Sequence, residues 1–317
     1  MRWAVLLLAC LPAFAADRTV ELPCTPSEFA PSGDGSTVWF LCESRTAFTA
    51  YALDTRSNRV VKLAEAQFHI DLFAAPAGDL AILTMPRQHQ HDLPVLYQRD
   101  RRLAELSFFP GMMQWSADAQ RIYFFVGNSA NDTPFDDSLG FLQFPERVTV
   151  KSKLRAPTES FSTCAANGHI YTGFPSKTAI EYDANLHFVR RWTTVPAGTF
   201  SAACRFLATA PNFHGPTPWD IIDVPTGRRL LHFPFTDEEL KSSEYEFSAW
   251  NPQREGILLR NFYPPEHPVV EVFDVPNRRV VDSLPAADSR AHWSGDGRQV
   301  IYNHDRTLIF HSVFGGQ

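Results

Sequence analysis

Histidine and acidic side chains are concentrated in five short polar segments of this sequence. The segments read PRQHQHDLP (86–94), GNSANDTPFDDS (127–138), NFHGPTP (212–218), FYPPEHP (262–268) and NHDRT (303–307). Neutral imidazole nitrogen and carboxylate oxygen are ligands for zinc and similar ions, and a set of carboxylate oxygens suits calcium. A divalent-metal site is therefore one chemistry that these segments predict.

Eight residues of these segments are the candidate ligand-binding residues. They are His89, His91, Asp92, His214, Glu266, His267, His304 and Asp305. The metal signal is weak, because HQH only places alternate side chains on one side of an extended segment, and the acidic segment 127–138 lacks the EF-hand spacing. The alternative interpretation is that all of these are polar side chains of solvated loops, with Asp132, Asp136 and Asp137 in a merely acidic loop.

Several common enzyme and partner classes lack support in the sequence. It has no GxSxG elbow, no phosphate-cradling glycine loop and no CxxC pair, so hydrolase, nucleotide-dependent and thiol-redox activities lack their usual local signatures. Charged residues make up 20% of the chain and the net charge is -6. A charged fraction and a net negative charge of this size argue against nucleic acid and anionic lipid as partners.

The elements that must position the polar segments belong to a sevenfold repeat. The hairpin AHWSGDGRQVIY (291–302) has six counterparts upstream, and one column of the repeat contains Pro31, Ala75, Trp115, Cys164, Ala203, Trp250 and Trp293. A second signature keeps the same register: an aspartate ends one strand before a turn, as in YALDTRSNRVVKL and VFDVPNRRVVDSL. A period of about forty residues predicts four short strands per unit.

The last copy ends at its third strand, and the segment RTVELPC (18–24) precedes the first copy. Pairing this segment as the missing fourth strand closes the ring and removes a free sheet edge. The predicted fold is all-β, a seven-bladed β-propeller of four-stranded antiparallel blades in one domain over 17–317. The repeats resemble those of bacterial extracytoplasmic propellers of the TolB-like and YVTN-repeat type, which carry a WSPDG-like turn. This resemblance implies the fold and says little about function.

In such a propeller, with strands a to d in each blade, the b-to-c loops and d-to-a connections emerge on one face, called here the loop face. The polar segments are b-to-c loops, so the eight candidate residues are predicted to share this face. The starts of strand a form a ring around the channel, predicted to contain Ser27, Asp71, Gly111, Ser160, Thr199, Glu246 and Ser289. Asp71 and Glu246 are its charged candidates for a channel-mouth site, and ordered water is the alternative occupant.

The first sixteen residues, MRWAVLLLACLPAFAA, have the features of a signal peptide cleaved near Ala15. The alternative is a lipoprotein acylated at Cys10. No later stretch approaches the roughly 20 apolar residues of a transmembrane helix. A secreted or periplasmic location is therefore predicted.

Four cysteines remain after cleavage, and their positions in the blades select a pairing. Cys24 and Cys42 belong to the loop face, whereas Cys164 and Cys204 lie near the a-to-b turns of neighbouring blades on the opposite face. The prediction is two disulfides, 24 with 42 and 164 with 204, as suits an oxidising compartment. Free buried thiols are the alternative.

The predicted function is a monomeric binding or scaffold protein that recognises a protein, peptide or carbohydrate through the loop face, without a cofactor. The alternative is a metal-assisted, lactonase-like hydrolase with a divalent ion at the channel mouth. A third class, the propeller subunit of a quinoprotein-type complex, would require a partner chain.

Overall fold

The computed structural model describes twelve stretches of the chain, and they form strands and turns. These stretches are residues 17–84, 94–106, 110–126, 138–144, 148–153, 160–173, 179–193, 198–209, 219–233, 244–263, 269–285 and 290–314. The predicted signal peptide, residues 1–16, lies outside them. Within the described stretches no helix is long and apolar enough to cross a membrane.

All strands within the described stretches belong to seven four-stranded antiparallel sheets, as predicted. Strand β1 is Arg18–Glu21. Blade one has β2 (Pro26–Pro31), β3 (Thr37–Glu43), β4 (Phe48–Asp54) and β5 (Val60–Ala66), and blade two has β6 (Asp71–Ala74), β7 (Leu80–Thr84), β8 (Val95–Gln98) and β9 (Arg101–Glu105). Blade three has β10 (Pro110–Trp115), β11 (Arg121–Val126), β12 (Ser138–Gln143) and β13 (Val148–Lys153).

The remaining blades follow the same order. Blade four has β14 (Ser160–Thr163), β15 (Ile170–Gly173), β16 (Ala179–Tyr182) and β17 (Phe188–Trp192), and blade five has β18 (Thr199–Phe200), β19 (Phe206–Thr209), β20 (Trp219–Asp223) and β21 (Arg228–Phe233). Blade six has β22 (Glu244–Trp250), β23 (Ile257–Tyr263), β24 (Val269–Asp274) and β25 (Arg279–Pro285). Blade seven has β26 (His292–Trp293), β27 (Gln299–His304) and β28 (Thr307–Ser312), with β1 as its fourth strand.

Each pair of neighbouring blades encloses one apolar cluster, so seven clusters follow the ring among the described residues. Strand β3 shows why its sequence TVWFLCE is almost continuously apolar. Val38 and Phe40 pack toward blade seven, while Trp39 and Leu41 pack toward blade two. Because side chains alternate between the two sides of a strand, a sheet covered on both faces needs apolar residues at every position.

The backbone bonds of the a-to-b turns correct part of the repeat register. In blade three the N–H of Ser116, the residue after Trp115, donates to the carbonyl of Arg121 over 2.9 Å. The same bond joins Ala75 to Leu80, Cys164 to His169 and Ser201 to Phe206. The structural counterparts of Trp115 are therefore Ala74, Thr163 and Phe200, and the predicted positions Ala75, Cys164 and Ala203 are wrong. These copies lack the tryptophan and the Gly-Asp-Gly turn, so only backbone pairing fixes their register.

The ring closes where the N-terminal strand meets the last blade. Strand β1 pairs with β28 from Arg18 opposite Phe310 to Glu21 opposite Thr307, which confirms the predicted closure. His311 adds a side-chain bridge, because Nδ1 lies 2.9 Å from Asp17 and Nε2 lies 2.9 Å from Asp282 of blade six. Burial alone would lower the pKa of His311, but the bonds to the two carboxylates outweigh it and raise that pKa.

We expect this bridge to make stability depend on pH. A histidine whose folded-state pKa is raised stabilises the fold fully below its unfolded value of about 6.5, and that contribution is lost as pH rises through the folded-state pKa. His311→Asn should therefore cost more at pH 5.5 than at pH 8.5, by about 1 kcal/mol, since both carboxylates are partly exposed to solvent. Urea denaturation at the two pH values measures the difference.

His187→Asn is the matched control for this measurement. His187 also faces a carboxylate, that of Asp183, but its side chain is 79% exposed, so its loss should have little effect at either pH. An equal cost of His311→Asn at pH 5.5 and pH 8.5 would contradict the expected bridge.

Candidate functional site

Two of the eight candidate loop residues lie in the described part of the chain. His304 ends β27, and Asp305 follows it in the turn to β28 with a φ of 49°. Both residues are exposed. The other six, together with the three aspartates of the acidic segment, lie outside the described residues. These six are His89, His91, Asp92, His214, Glu266 and His267.

The hairpin that carries His304 and Asp305 is fixed to the start of the chain. The Leu22 N–H donates to the Arg306 carbonyl over 2.8 Å, and the Arg306 guanidinium donates back to the Leu22 carbonyl over 2.9 and 3.0 Å. A disulfide joins Cys24 to Cys42 next to this connection, as predicted. The b-to-c turn of blade seven and the d-to-a connection into blade one therefore share one face and hold each other in place.

The longest b-to-c connections belong to blades two, three and five. They occupy residues 85–94, 127–137 and 210–218. On the opposite face the a-to-b turns have five or six residues, and in six blades the residue after the third strand donates a backbone N–H to the a-to-b turn, as Thr55 does to Ser36 over 3.0 Å. Backbone bonding therefore constrains the turn face, and the longest connections lie on the loop face.

The innermost strands and the a-to-b turns line an open central cavity of about 510 Å³. Trp115, Trp250 and Trp293 reach it only at their edges, because each is at most 7% exposed. The indole N–H of Trp115 donates to the Phe73 carbonyl over 3.0 Å, and that of Trp250 donates to the Thr199 carbonyl over 2.8 Å. These contacts join each tryptophan to the preceding blade, so their role is packing between blades.

The indole N–H of Trp293 differs, because it has no hydrogen-bond partner among the described residues. By the pattern of the other two tryptophans, its acceptor would be the Ala249 carbonyl of blade six. The pairing of β22 with β23 shifts register between Phe247 and Ala249.

Three charged side chains occupy equivalent positions on the inner strands of blades seven, one and two. Glu28 is opposite Leu41 and Asp71 is opposite Thr84 in the strand pairing, and Arg290 precedes β26 at the matching position. Asp71 accepts a bond from Thr84 Oγ1 over 2.8 Å and lies 2.7 Å from His69 Nε2. Burial and the neighbouring Asp71 charge raise the pKa of Glu28, against the opposing effects of Arg290 and His69.

The ring predicted from the sequence is only partly correct. Asp71 does begin its strand, but the blade-one position belongs to Glu28, because the pairing shifts register between Pro26 and Glu28 and leaves Ser27 in the bulge. Glu246 lies in β22 opposite Asn261, and its side chain lies outside the described residues. A bulge has no clear signal in the sequence, so Glu28 was missed.

His292 is a second residue that the sequence did not identify. Its ring lines the cavity and meets Phe29 edge-on, with 5.0 Å between ring centroids. Burial, aided by the Arg290 charge, lowers the pKa of His292 to about 4. The imidazole is therefore neutral near pH 7, with one nitrogen that donates and one that accepts.

A metal site finds no support within the described stretches. There, no three histidine, cysteine or acidic side chains are grouped closely enough to hold an ion. The metal interpretation therefore rests on loop residues outside those stretches.

Comparison with known proteins supports the propeller fold. No protein-family profile and no curated protein matches the chain. A chain in the solved structure titled "Kuenenia stuttgartiensis Hydrazine Synthase" is similar, with a TM-score of 0.62 and 14% sequence identity. The match covers 92% of this chain and 97% of that chain. At this identity the likeness shows the propeller fold alone.

Proposed function

We propose that this propeller is a binding or scaffold protein that recognises a protein, peptide or carbohydrate through its loop face. One observation carries the proposal: the longest connections, which hold three of the five candidate histidines, all join strands on one face of the ring. Recognition residues are typically placed on such loops while the scaffold beneath them stays fixed. The Cys24–Cys42 disulfide and the Leu22–Arg306 bonds supply that fixed base in blades seven and one.

The two disulfides indicate a non-reducing compartment. We propose a secreted or periplasmic location and kinship with the TolB-like and YVTN-repeat propellers. The WSGDG turn at Trp293 and the signal-like first sixteen residues support both proposals. We further propose that the protein acts as a monomer without a cofactor.

We expect binding to be lost when the loop-face histidines are removed. The test is to screen the intact protein on a defined glycan array and against a displayed peptide library, then to measure the affinity of the best binder. A triple variant, His91→Ala with His267→Ala and His304→Ala, should weaken that affinity at least tenfold. Affinity should also change between about pH 5 and 8, where an unperturbed imidazole gains its charge.

The control for the triple variant changes the opposite face. His187→Ala removes an exposed histidine from a c-to-d turn, and Asp296→Asn preserves the turn in which Ser294 Oγ donates to Asp296 over 2.6 Å. Both should bind as the wild type does. Loss of affinity in these controls, with none in the triple variant, would place the site on the turn face.

A further inference from the structure

We propose that His311 is a pH-sensitive latch on β1, the strand that closes the ring. When the imidazole loses its proton, the upstream end of this strand is released while the remainder of the propeller stays folded. The pH-dependent stability of the bridge does not by itself say which segment moves, whereas the contacts around β1 do. The latch is independent of the loop-face function proposed above.

Both ring nitrogens of His311 face carboxylates. Nδ1 lies 2.9 Å from Asp17 Oδ1, and Nε2 lies 2.9 Å from Asp282 Oδ2. An ionised carboxylate only accepts hydrogen bonds, and a neutral imidazole has a single N–H to donate. The protonated ring therefore donates to both carboxylates, whereas the neutral ring turns a lone pair toward one of them. One of the two contacts is lost with the proton.

The charged groups that face His311 come from the elements on either side of β28. They are Asp17, which directly precedes β1, and Asp282 of β25. Strand β28 itself, TLIFHS, has no other charged side chain. On β27, burial and the charges of the two carboxylates raise the pKa of the Tyr302 hydroxyl, so this group stays neutral where an imidazole titrates. The His311 side chain is 23% exposed, so solvent only partly screens these contacts.

Of the two carboxylates, that of Asp17 is held less firmly by the backbone. Asp282 is opposite Val272 within β25, and further strand pairs lie on both sides of it. Asp17 precedes β1, whose four strand pairs with β28 all lie downstream. The end of a short strand opens at a lower free energy than the middle of a longer one. Arg18 still stacks on Phe310, so loss of the latch shifts an equilibrium toward an open upstream end.

The chain that follows β1 is fixed independently of His311. The Leu22 N–H donates to the Arg306 carbonyl over 2.8 Å, and the Cys24–Cys42 disulfide ties the next residues to β3. Opening is therefore confined to residues 17–21, which remain attached to the ring at their downstream end.

Hydrogen–deuterium exchange of the intact protein, followed by mass spectrometry, tests the latch. Exchange is expressed as protection relative to the unstructured chain at the same pH, which removes the pH dependence of the chemical exchange rate. In the wild type, protection of residues 17–22 should fall about fivefold from pH 5.5 to pH 8.5, because the latch is lost as pH rises through the raised pKa of His311. Protection of β4, which is paired on both sides, should not change.

Three variants assign the effect to the latch. His311→Asn cannot bond both carboxylates, so protection of residues 17–22 should be low at both pH values, and Asp17→Asn should reduce the pH dependence. Glu21→Gln is the matched control, because this carboxylate lies on the same strand and accepts a bond from Thr307 Oγ1 over 2.8 Å. It should keep the pH dependence of the wild type. His311→Asn also separates the imidazole from the α-amino group of a chain cleaved near Ala15, which titrates at about 7.7 to 8.0.

Three results would each overturn the proposal. The first is equal protection of residues 17–22 at the two pH values in the wild type. The second is an equal fall in β4, which would show that the whole ring opens. The third is a wild-type pH dependence in both the His311 and the Asp17 variants. Glycan or peptide binding at the loop face is measured separately, and its failure would leave the latch standing.

Discussion

Replacing Cys164 and Cys204 together by alanine is expected to lower the free energy of unfolding by about 4 kcal/mol. This disulfide joins the a-to-b turns of blades four and five across a sequence separation of 40 residues, and Cys164 is fully buried. A cross-link restricts the unfolded chain, and the restriction grows with the length of the loop that it closes. Equilibrium urea denaturation of the double variant measures the loss.

The Cys24–Cys42 pair is the comparison for this result. Its sequence separation is 18, so the double alanine variant should lose about 3 kcal/mol, less than the pair between blades. Dithiothreitol should destabilise the wild type. It should leave the stability of a variant in which all four of these cysteines are replaced by alanine unchanged. Equal stability of oxidised and reduced wild-type protein would contradict both expectations.

Glu181→Ala is the second substitution with a large expected effect. This carboxylate is 3% exposed and accepts bonds from Arg190 Nε, Trp192 Nε1 and Tyr171 O–H over 2.7, 2.8 and 3.1 Å, with His169 Nδ1 at 2.6 Å. Removing it leaves four groups without their shared acceptor. Breaking a buried ion pair costs about 3 to 5 kcal/mol, and we expect a loss near 3 because solvent reaches Arg190.

The same carboxylate predicts how acid should affect the protein. Burial alone would raise the pKa of Glu181, but the bonds from His169, Arg190 and Trp192 outweigh it and lower that pKa. A lowered carboxyl pKa means that the stabilisation is present above the unfolded value and is lost as pH falls through the folded one. The cost of Glu181→Ala should therefore shrink in acid.

A surface carboxylate separates this effect from a general loss of charge. Glu105 pairs with Arg102 on β9, where both side chains are accessible to solvent, so Glu105→Ala should change stability by less than about 0.5 kcal/mol. Glu181→Gln should be intermediate, because it keeps the volume and loses the charge. If Glu181→Ala and Glu105→Ala lowered the free energy of unfolding by similar amounts, the buried hydrogen-bond network would contribute no more than a surface ion pair.

Repeating patterns made the architecture predictable. Tight turns and alternating apolar residues are local signals that recur along the chain, so an error in one copy does not change the count. The missing fourth strand of the last copy indicates how the ring closes. The disulfide pairing is predictable from the same repeats, because the positions of the cysteines in the blades bring Cys24 near Cys42 and Cys164 near Cys204. The register of the turn column is wrong in copies without strong turn residues, as at Ala203.

The channel-lining residues are harder to predict, because the channel is assembled from seven segments that are distant in the sequence. Bulges in β2 and β22 move a single position and leave no clear mark in the composition. Glu28 and His292 therefore have no distinguishing signal in the sequence, whereas Ser27 is predicted to line the channel. The surroundings that shift their pKa values come from other blades, which the sequence does not place in three dimensions.

The sequence by itself determined the fold class, the number of blades, the closing strand and the cysteine pairing, because each depends on short-range periodicity or on position within a repeat. Only the tertiary structure decided which side chains meet: Arg290, Glu28 and Asp71 in one arc of the inner strands, His292 against Phe29, and four polar or charged side chains around Glu181. These contacts depend on how strands pair and on how neighbouring blades pack, and a one-residue shift in pairing changes which side of the sheet a residue faces.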